Sequence, residues 1–245
     1  MDIYSIEILV VLSSLSFFTS LITAAIGMGG GLILLASLPS LLPVQAIIPV
    51  HGAVQLSSNI SRCLFEIKYT CIKPLFYYFI GSLIGSYVGF VLMGDINLAY
   101  MPLILSVFIL MILWTPIYEL IKRIPGRYFS LGIFQTAIAL YVGATGPLST
   151  SILYKDQYSR DNVIVTNAAI NTLVNIAKII VYSAIGFVFY DYLTLIIIMS
   201  LMAILGSYVG ARLRGKIDEK IGASIIKILV TLLCLKNLIS FMLVK

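Results

Sequence analysis

The run Ile26-Gly27-Met28-Gly29-Gly30-Gly31 constrains this chain more than any other stretch, because it joins a long apolar segment, Ile3–Ile26, to a shorter one, Leu32–Leu42. Each glycine in a helix interior costs about 1 kcal/mol relative to alanine, so four within five positions predict a broken helix. A break inside an apolar bundle strands N–H and C=O groups that hydrocarbon cannot satisfy. It persists only where protein or a polar cavity supplies partners. The glycine run is therefore read as lining a site.

A chain of 245 residues that is 60% apolar and only 11% charged buries its apolar surface in lipid. Further apolar segments run over Val44–Leu64, Pro74–Met93, Leu98–Tyr118, Phe129–Val142, Leu148–Tyr154, Val163–Phe189, Tyr192–Leu213 and Ile221–Val244. Their lengths predict an all-α polytopic membrane protein rather than a barrel, whose strands run to about ten alternating residues. Leu32–Leu42 and Leu148–Tyr154 are half-length pieces that follow breaks. No soluble domain fits between the segments, so residues 1–245 read as one transmembrane transport domain, multi-pass in the cell membrane and in contact with lipid. The N-terminus lacks the basic region and cleavage site of a secretory signal and reads as mature. The net charge of +6 is spread over particular loops, which argues against nucleic acid. Cys63, Cys71 and Cys234 show neither disulfide nor metal spacing. No metal and no cofactor is expected, and a homo-oligomer is left open.

The chain repeats itself. Gly85-Ser86-Tyr87-Val88-Gly89 recurs unchanged as Gly206-Ser207-Tyr208-Val209-Gly210, an offset of 121. The glycine run recurs more loosely as Val142-Gly143-Ala144-Thr145-Gly146-Pro147, an offset of 116, which implies an insertion of five residues near Phe187–Asp191. Ordered matches at nearly equal offsets predict a duplication, with repeat one at about 5–120 and repeat two at about 127–244.

Charge orients the halves. Arg62, Lys68 and Lys73 flank one loop, Lys122, Arg123 and Arg127 the next basic one, and Arg212, Arg214, Lys216 and Lys220 the last. Gly94–Asn97 and Phe189–Asp191 carry no Lys or Arg. If each break is the tip of a re-entrant hairpin, all the basic loops, and Lys155/Arg160 with them, lie inside. The expected architecture is two inverted-topology repeats, each a broken or re-entrant hairpin plus three transmembrane helices. Such repeats typify secondary transporters with a midplane site.

The segment after each break is unusually polar. His51, Gln55, Asn59 and Arg62 share one helical face, and the 116 offset maps them onto Asn167, Asn171, Asn175 and Lys178. A buried Lys178 is expensive unless it meets a cavity, a partner or an anion, and no intramembrane Asp or Glu is available to it. That pattern points to a small anion. Backbone N–H groups at half-helices starting near Gly31 and Pro147 also favour negative charge. The candidate substrate-binding residues are Gly27, Gly29, Gly30, Gly31, His51, Gln55, Asn59, Arg62, Gly143, Thr145, Gly146, Ser149, Asn167, Asn171, Asn175 and Lys178. Thr150 and Ser151, and likewise Ser13, Ser14 and Ser16, can add hydroxyl donors, the alternative being that a serine in a membrane helix only bonds back to a carbonyl. His51 either takes up a proton or makes an interhelical bond, and Tyr87 and Tyr208 read as packing or interfacial residues.

The Gly-x-Gly-Gly-Gly break, the polar helix after it, the basic loop, the Gly-Ser-x-x-Gly helix end and the second copy of the whole resemble the TauE/SafE sulfite exporter family of membrane permeases. The likeness runs from about Ser5 to Leu243. It implies transport of sulfite, thiosulfate, sulfonates or other organic anions across the cytoplasmic membrane. Gly143-Ala144-Thr145-Gly146-Pro147 is less glycine-rich than the family pattern. The reading is a secondary transporter working by alternating access, the alternative being a passive anion channel that uses the same site. No enzyme is expected, because Ser58 lies about 11 Å along the helix from His51 and no carboxylate orients the imidazole.

Overall fold

The structure is a computed structural model that describes residues 5–93, 100–115, 126–216 and 218–243. Its helices, in chain order, are α1 (Ile6–Ile26), α2 (Gly30–Ser37), α3 (Val44–Phe65), α4 (Ile72–Leu92), α5 (Met101–Trp114), α6 (Arg127–Val142), α7 (Gly146–Lys155), α8 (Arg160–Ala184), α9 (Leu193–Leu213) and α10 (Glu219–Leu243). Short 3₁₀ turns join some of them, and the described residues contain no strand. Lys122, Arg123 and the Gly94–Asn97 stretch lie outside the described residues.

The breaks fall where the glycines are. Gly27 ends α1 at φ 104°, its N–H donating back to the Thr23 carbonyl, and Gly29 opens α2 at φ 94°. Side chains rarely tolerate these angles. α2 then doubles back on α1 so closely that a Cβ on Gly30 would sit 1.8 Å from the Thr19 carbonyl oxygen. The second break behaves likewise. Gly143 ends α6 at φ 76°, and α7 begins with Pro147 in its first turn, where the missing N–H costs little. Arg127 reaches Asp156 at 2.9 Å and the Tyr128 hydroxyl donates to the same carboxylate, tying the start of α6 to the end of α7. Both breaks are tips of helical hairpins.

Five helices are long and apolar enough to cross a membrane: α1, α4, α8, α9 with its preceding 3₁₀ turn, and α10. α3 has the length, at 22 residues, but its polar face lowers its hydropathy. Apolar side chains on α4 (Phe76, Phe79, Leu83, Val91) and on α10 (Ile225, Ile228, Leu232, Ile239) are exposed, as a lipid-facing surface requires. Leu12, Leu34, Leu35 and Ile47 anchor one buried cluster, and Leu131, Ile152 and Val174 another.

The repeated pentapeptide has a packing role. A Cβ on Gly206 or Gly210 would meet the Phe17 or Leu21 carbonyl oxygen of α1 at 2.1 and 2.3 Å. On α4, a Cβ on Gly85 would meet the Ile133 carbonyl oxygen of α6 at 2.3 Å, and one on Gly89 would meet the Ala137 Cα at 3.1 Å. Phe17 and Leu21 are related to Ile133 and Ala137 by the same 116 offset that relates the breaks. Each copy therefore packs on the first helix of the other half, at backbone-to-backbone distance. Tyr87 and Tyr208 face outward and are exposed. At the centre α3 crosses α8 antiparallel, with Gly52 against the Lys178 stem near one end and Cys63 against the Val165 carbonyl towards the other.

A Gly85→Ala or Gly206→Ala change forces these helix pairs apart. Each is expected to cost about 1–3 kcal/mol, seen as a lower midpoint of thermal unfolding in detergent. An unchanged midpoint in both variants would contradict the close-packing role.

Candidate functional site

Both hairpin tips and both polar faces converge on one cavity of about 60 Å³. Its lining includes Gly29, Gly31, His51, Gln55, Asn59 and Arg62 from the first half. Gly143, Gly146, Asn167, Asn171, Asn175 and Lys178 come from the second. α3 supplies its polar residues at one-turn intervals, and α8, crossing antiparallel, supplies the matching set.

The two cations are held in the same way. Arg62 donates to Asn59 Oδ1 and, through Nε, to the Ser58 carbonyl at 3.3 Å. Lys178 donates to Asn175 Oδ1 at 3.0 Å and to the Gly143 carbonyl at the second tip. In both halves a cation leans on the asparagine three residues before it. Arg62 is 4% and Lys178 1% exposed, so each charge is buried without an ion-pair partner among the described residues. No Asp or Glu is among the lining residues.

The backbone adds to this field. Neither α2 nor α7 has a side-chain cap at its N-terminus, and Gly31, Leu32, Gly146 and Pro147 line the cavity there. Two helix N-termini without side-chain caps, two buried cations and several amides make a pocket suited to an anion. His51 Nε2 lies 3.0 Å from the Gly31 carbonyl oxygen and secures the first tip.

Four candidates do not line the cavity. Gly27 lies against Ile164 and Gly30 against α1, so both glycines serve the hairpin turn. Thr145 is buried beside the second tip. Ser149 acts at one remove: it receives the Gln135 amide at 3.2 Å and donates to Asn167 Oδ1 at 2.6 Å, and Asn171 in turn donates to that oxygen at 3.0 Å. Sequence reasoning passed over Gln135, whose signal was an amide in an otherwise apolar segment. Thr23, Met28, Leu32, Ala144 and Pro147 also line the cavity, all of them neighbours of the breaks. Four of the five further hydroxyls are taken by carbonyls: Ser13 by Leu9, Ser16 by Met199, Thr150 by Gly146 and Ser151 by Pro147. Ser58 pairs with Ser20 and Ser207 rather than with His51.

Beyond the cavity, the two ends of the bundle differ. At one end Arg214 donates to the Ala24 carbonyl at 3.0 Å and pairs with Glu66 at 2.7 Å and Asp161 at 3.2 Å, while Arg160 donates to the Ala25 carbonyl at 2.8 Å. At the other end, the positions related by the repeat offsets to Glu66, Asp161 and Arg214 are Tyr182, Gln45 and Met93. There the Tyr182 hydroxyl donates to the Leu140 carbonyl at 2.8 Å, beside a second cavity of about 360 Å³ lined by Gln45, Met93, Tyr141 and Tyr182.

The sequence profile of the sulfite exporter TauE/SafE family matches residues 12–237. The chain belongs to that family. Comparison with curated proteins and with solved structures gave no match. As a TauE/SafE member it is an integral membrane transport protein, in a family named for exporting sulfite. The TauE/SafE match spans both glycine breaks and both polar faces.

Gly30 and Gly31 separate folding from binding. Gly30→Ala collides with the α1 backbone and is expected to lower thermal stability. Gly31→Ala places its methyl 3.5 Å from Gln55 Nε2, an ordinary contact, and into the cavity. It is expected to fold as wild type and to bind sulfite at least about tenfold more weakly, or 1.4 kcal/mol, by calorimetry. Equal binding would show that the cavity is not the site.

Proposed function

We propose that this protein is a secondary transporter that carries a compact sulfur oxyanion, of the sulfite or thiosulfate class, across the cytoplasmic membrane by alternating access. The observation that carries the reading is the cavity itself, with Arg62 and Lys178 in its lining and no carboxylate beside them. Its volume of about 60 Å³ exceeds the 10–15 Å³ a single water needs and falls well short of the 300 Å³ or more typical of drug-sized ligands. A three-oxygen anion suits that space better than a sulfonate with an organic tail.

Alternation is supported by the ends of the bundle. Arg214, Glu66 and Asp161 bind the ends of α9, α3, α8 and α1 together on one side, and only neutral residues stand at the related positions on the other. In this reading the halves are inverted repeats, the basic loops face the cytoplasm, and the Arg214 network is the inner closure. A passive channel would need a continuous path, whereas the Arg214 network ties helix ends together across one mouth of the bundle.

Purified protein in liposomes tests the proposal with sulfite, thiosulfate, sulfate, sulfoacetate and chloride. Saturable uptake of sulfite or thiosulfate is expected, at rates below about 10³ s⁻¹, with Lys178→Ala and Asn59→Ala both abolishing it while remaining folded. Uptake indifferent to both variants would refute the site, and unsaturable flux would favour the channel.

A companion measurement probes the inner closure. Arg214→Ala is expected to raise labelling of a cysteine introduced at Asn171 by an impermeant maleimide from the cytoplasmic side, with no gain from the other. Equal labelling in both backgrounds would remove the network from the transport cycle.

A further inference from the structure

We propose that one proton enters the cavity with each bound anion and is held at His51 Nδ1, which makes this histidine the proton-coupling residue of the transport cycle. The inference rests on the anion-binding reading given above.

A carbonyl oxygen only accepts hydrogen bonds, so the Nε2 atom 3.0 Å from the Gly31 carbonyl carries the hydrogen. In the neutral ring Nδ1 is then a lone-pair acceptor. His51 is 2% exposed and lines the cavity, and its Nδ1 has no hydrogen-bond partner among the described residues. An unpartnered acceptor at such depth is costly. A fully ionised oxyanion makes matters worse, since it brings only acceptor oxygens and turns one of them towards another lone pair. A proton placed between the anion and Nδ1 converts that repulsion into a charge-assisted hydrogen bond.

The groups around the ring leave no other obvious carrier. Lys178 faces it from α8 and Arg62 shares its face on α3, while α2 offers the Gly31 backbone and α7 the Gly146–Pro147 turn, without a titratable side chain in the lining. Arg62 stays protonated in any accessible environment. Lys178 already directs its ammonium at two acceptors, the Gly143 carbonyl and Asn175 Oδ1, so deprotonation there would weaken the second tip. In the exchange the anion and a proton bind from water on one side and leave to water on the other. Nothing is oxidised: on one side the Nδ1–H bond forms as an O–H bond of hydronium or the acid bond of the buffer breaks, and on the other side Nδ1–H breaks as the proton returns to water or buffer base.

The test is calorimetric titration of the purified full chain with sulfite in alkaline buffers of different ionisation enthalpy, where free sulfite carries no proton. The buffer dependence gives the protons taken up per anion bound. Wild type is expected to take up close to one, and His51→Gln, which retains an amide for Gly31 but no basic nitrogen, close to none. Lys178→Arg keeps a permanent charge; because Lys178 lines the cavity, the variant is expected to bind sulfite more weakly, yet to take up the wild-type number of protons per anion bound. No proton uptake by wild type, undiminished uptake by His51→Gln, or loss of uptake in Lys178→Arg would each overturn the assignment. If His51→Gln fails to bind, the wild-type and Lys178→Arg values still decide. Absence of sulfite, sulfate or thiosulfate binding by wild type would remove the anion site and this inference together, an outcome distinct from binding without proton uptake.

Discussion

A helix broken inside an apolar bundle must have its backbone groups satisfied from outside the helix, and the rest of this structure follows from that need. At the first tip His51 takes up the Gly31 carbonyl; at the second, Lys178 takes up the Gly143 carbonyl. The residues that secure the breaks are thus the same ones that give the cavity its charge and its acceptor. The bonds that secure the hairpins and the lining of the cavity share residues, and Lys178, a cation without a carboxylate partner among the described residues, is kept at the centre of the fold despite its desolvation cost.

The duplicated pattern works through packing between halves. Gly85 and Gly89 of the first half press on α6 of the second, and Gly206 and Gly210 press on α1 of the first. Because these contacts are between backbones, they leave little tolerance for extra atoms and fix the first arm of each hairpin against a long membrane helix. The cavity lies at the tips of the hairpins so fixed, against α3 and α8. The likeness of the halves ends at the rims, where Arg214, Glu66 and Asp161 stand opposite Met93, Tyr182 and Gln45. That departure is where a two-state device would differ between its two closures.

Much of the cavity's lining was legible in the sequence because its signals are periodic. Residues 51, 55, 59 and 62 share a helical face whatever surrounds them, and one offset projects that face onto 167, 171, 175 and 178. The glycines announced the breaks through backbone cost alone. What could not be read is how each glycine is used: Gly29 and Gly31 line the cavity, while Gly27 and Gly30 are consumed by the turn and by α1. For the hydroxyls the structure takes the back-bonding alternative, for a related reason. A serine in a membrane helix bonds to a carbonyl one turn back unless something better is near, and Ser13, Thr150 and Ser151 do so.

The sequence by itself determined a helical membrane protein with two breaks and two related polar faces, each carrying one cation and no carboxylate. Those properties depend on hydropathy, on helical periodicity and on glycine's backbone cost, all of which act locally. Tertiary structure alone decided that α2 and α7 fold back into hairpins and that α3 crosses α8 antiparallel, bringing Arg62 and Lys178 into one cavity. It also decided that Gln135 and Ser149 hold Asn167 in place, and that Arg214 meets Glu66 and Asp161 at one end of the bundle. These outcomes depend on which residues far apart in the chain come within a few ångströms, and neither spacing nor composition carries that information.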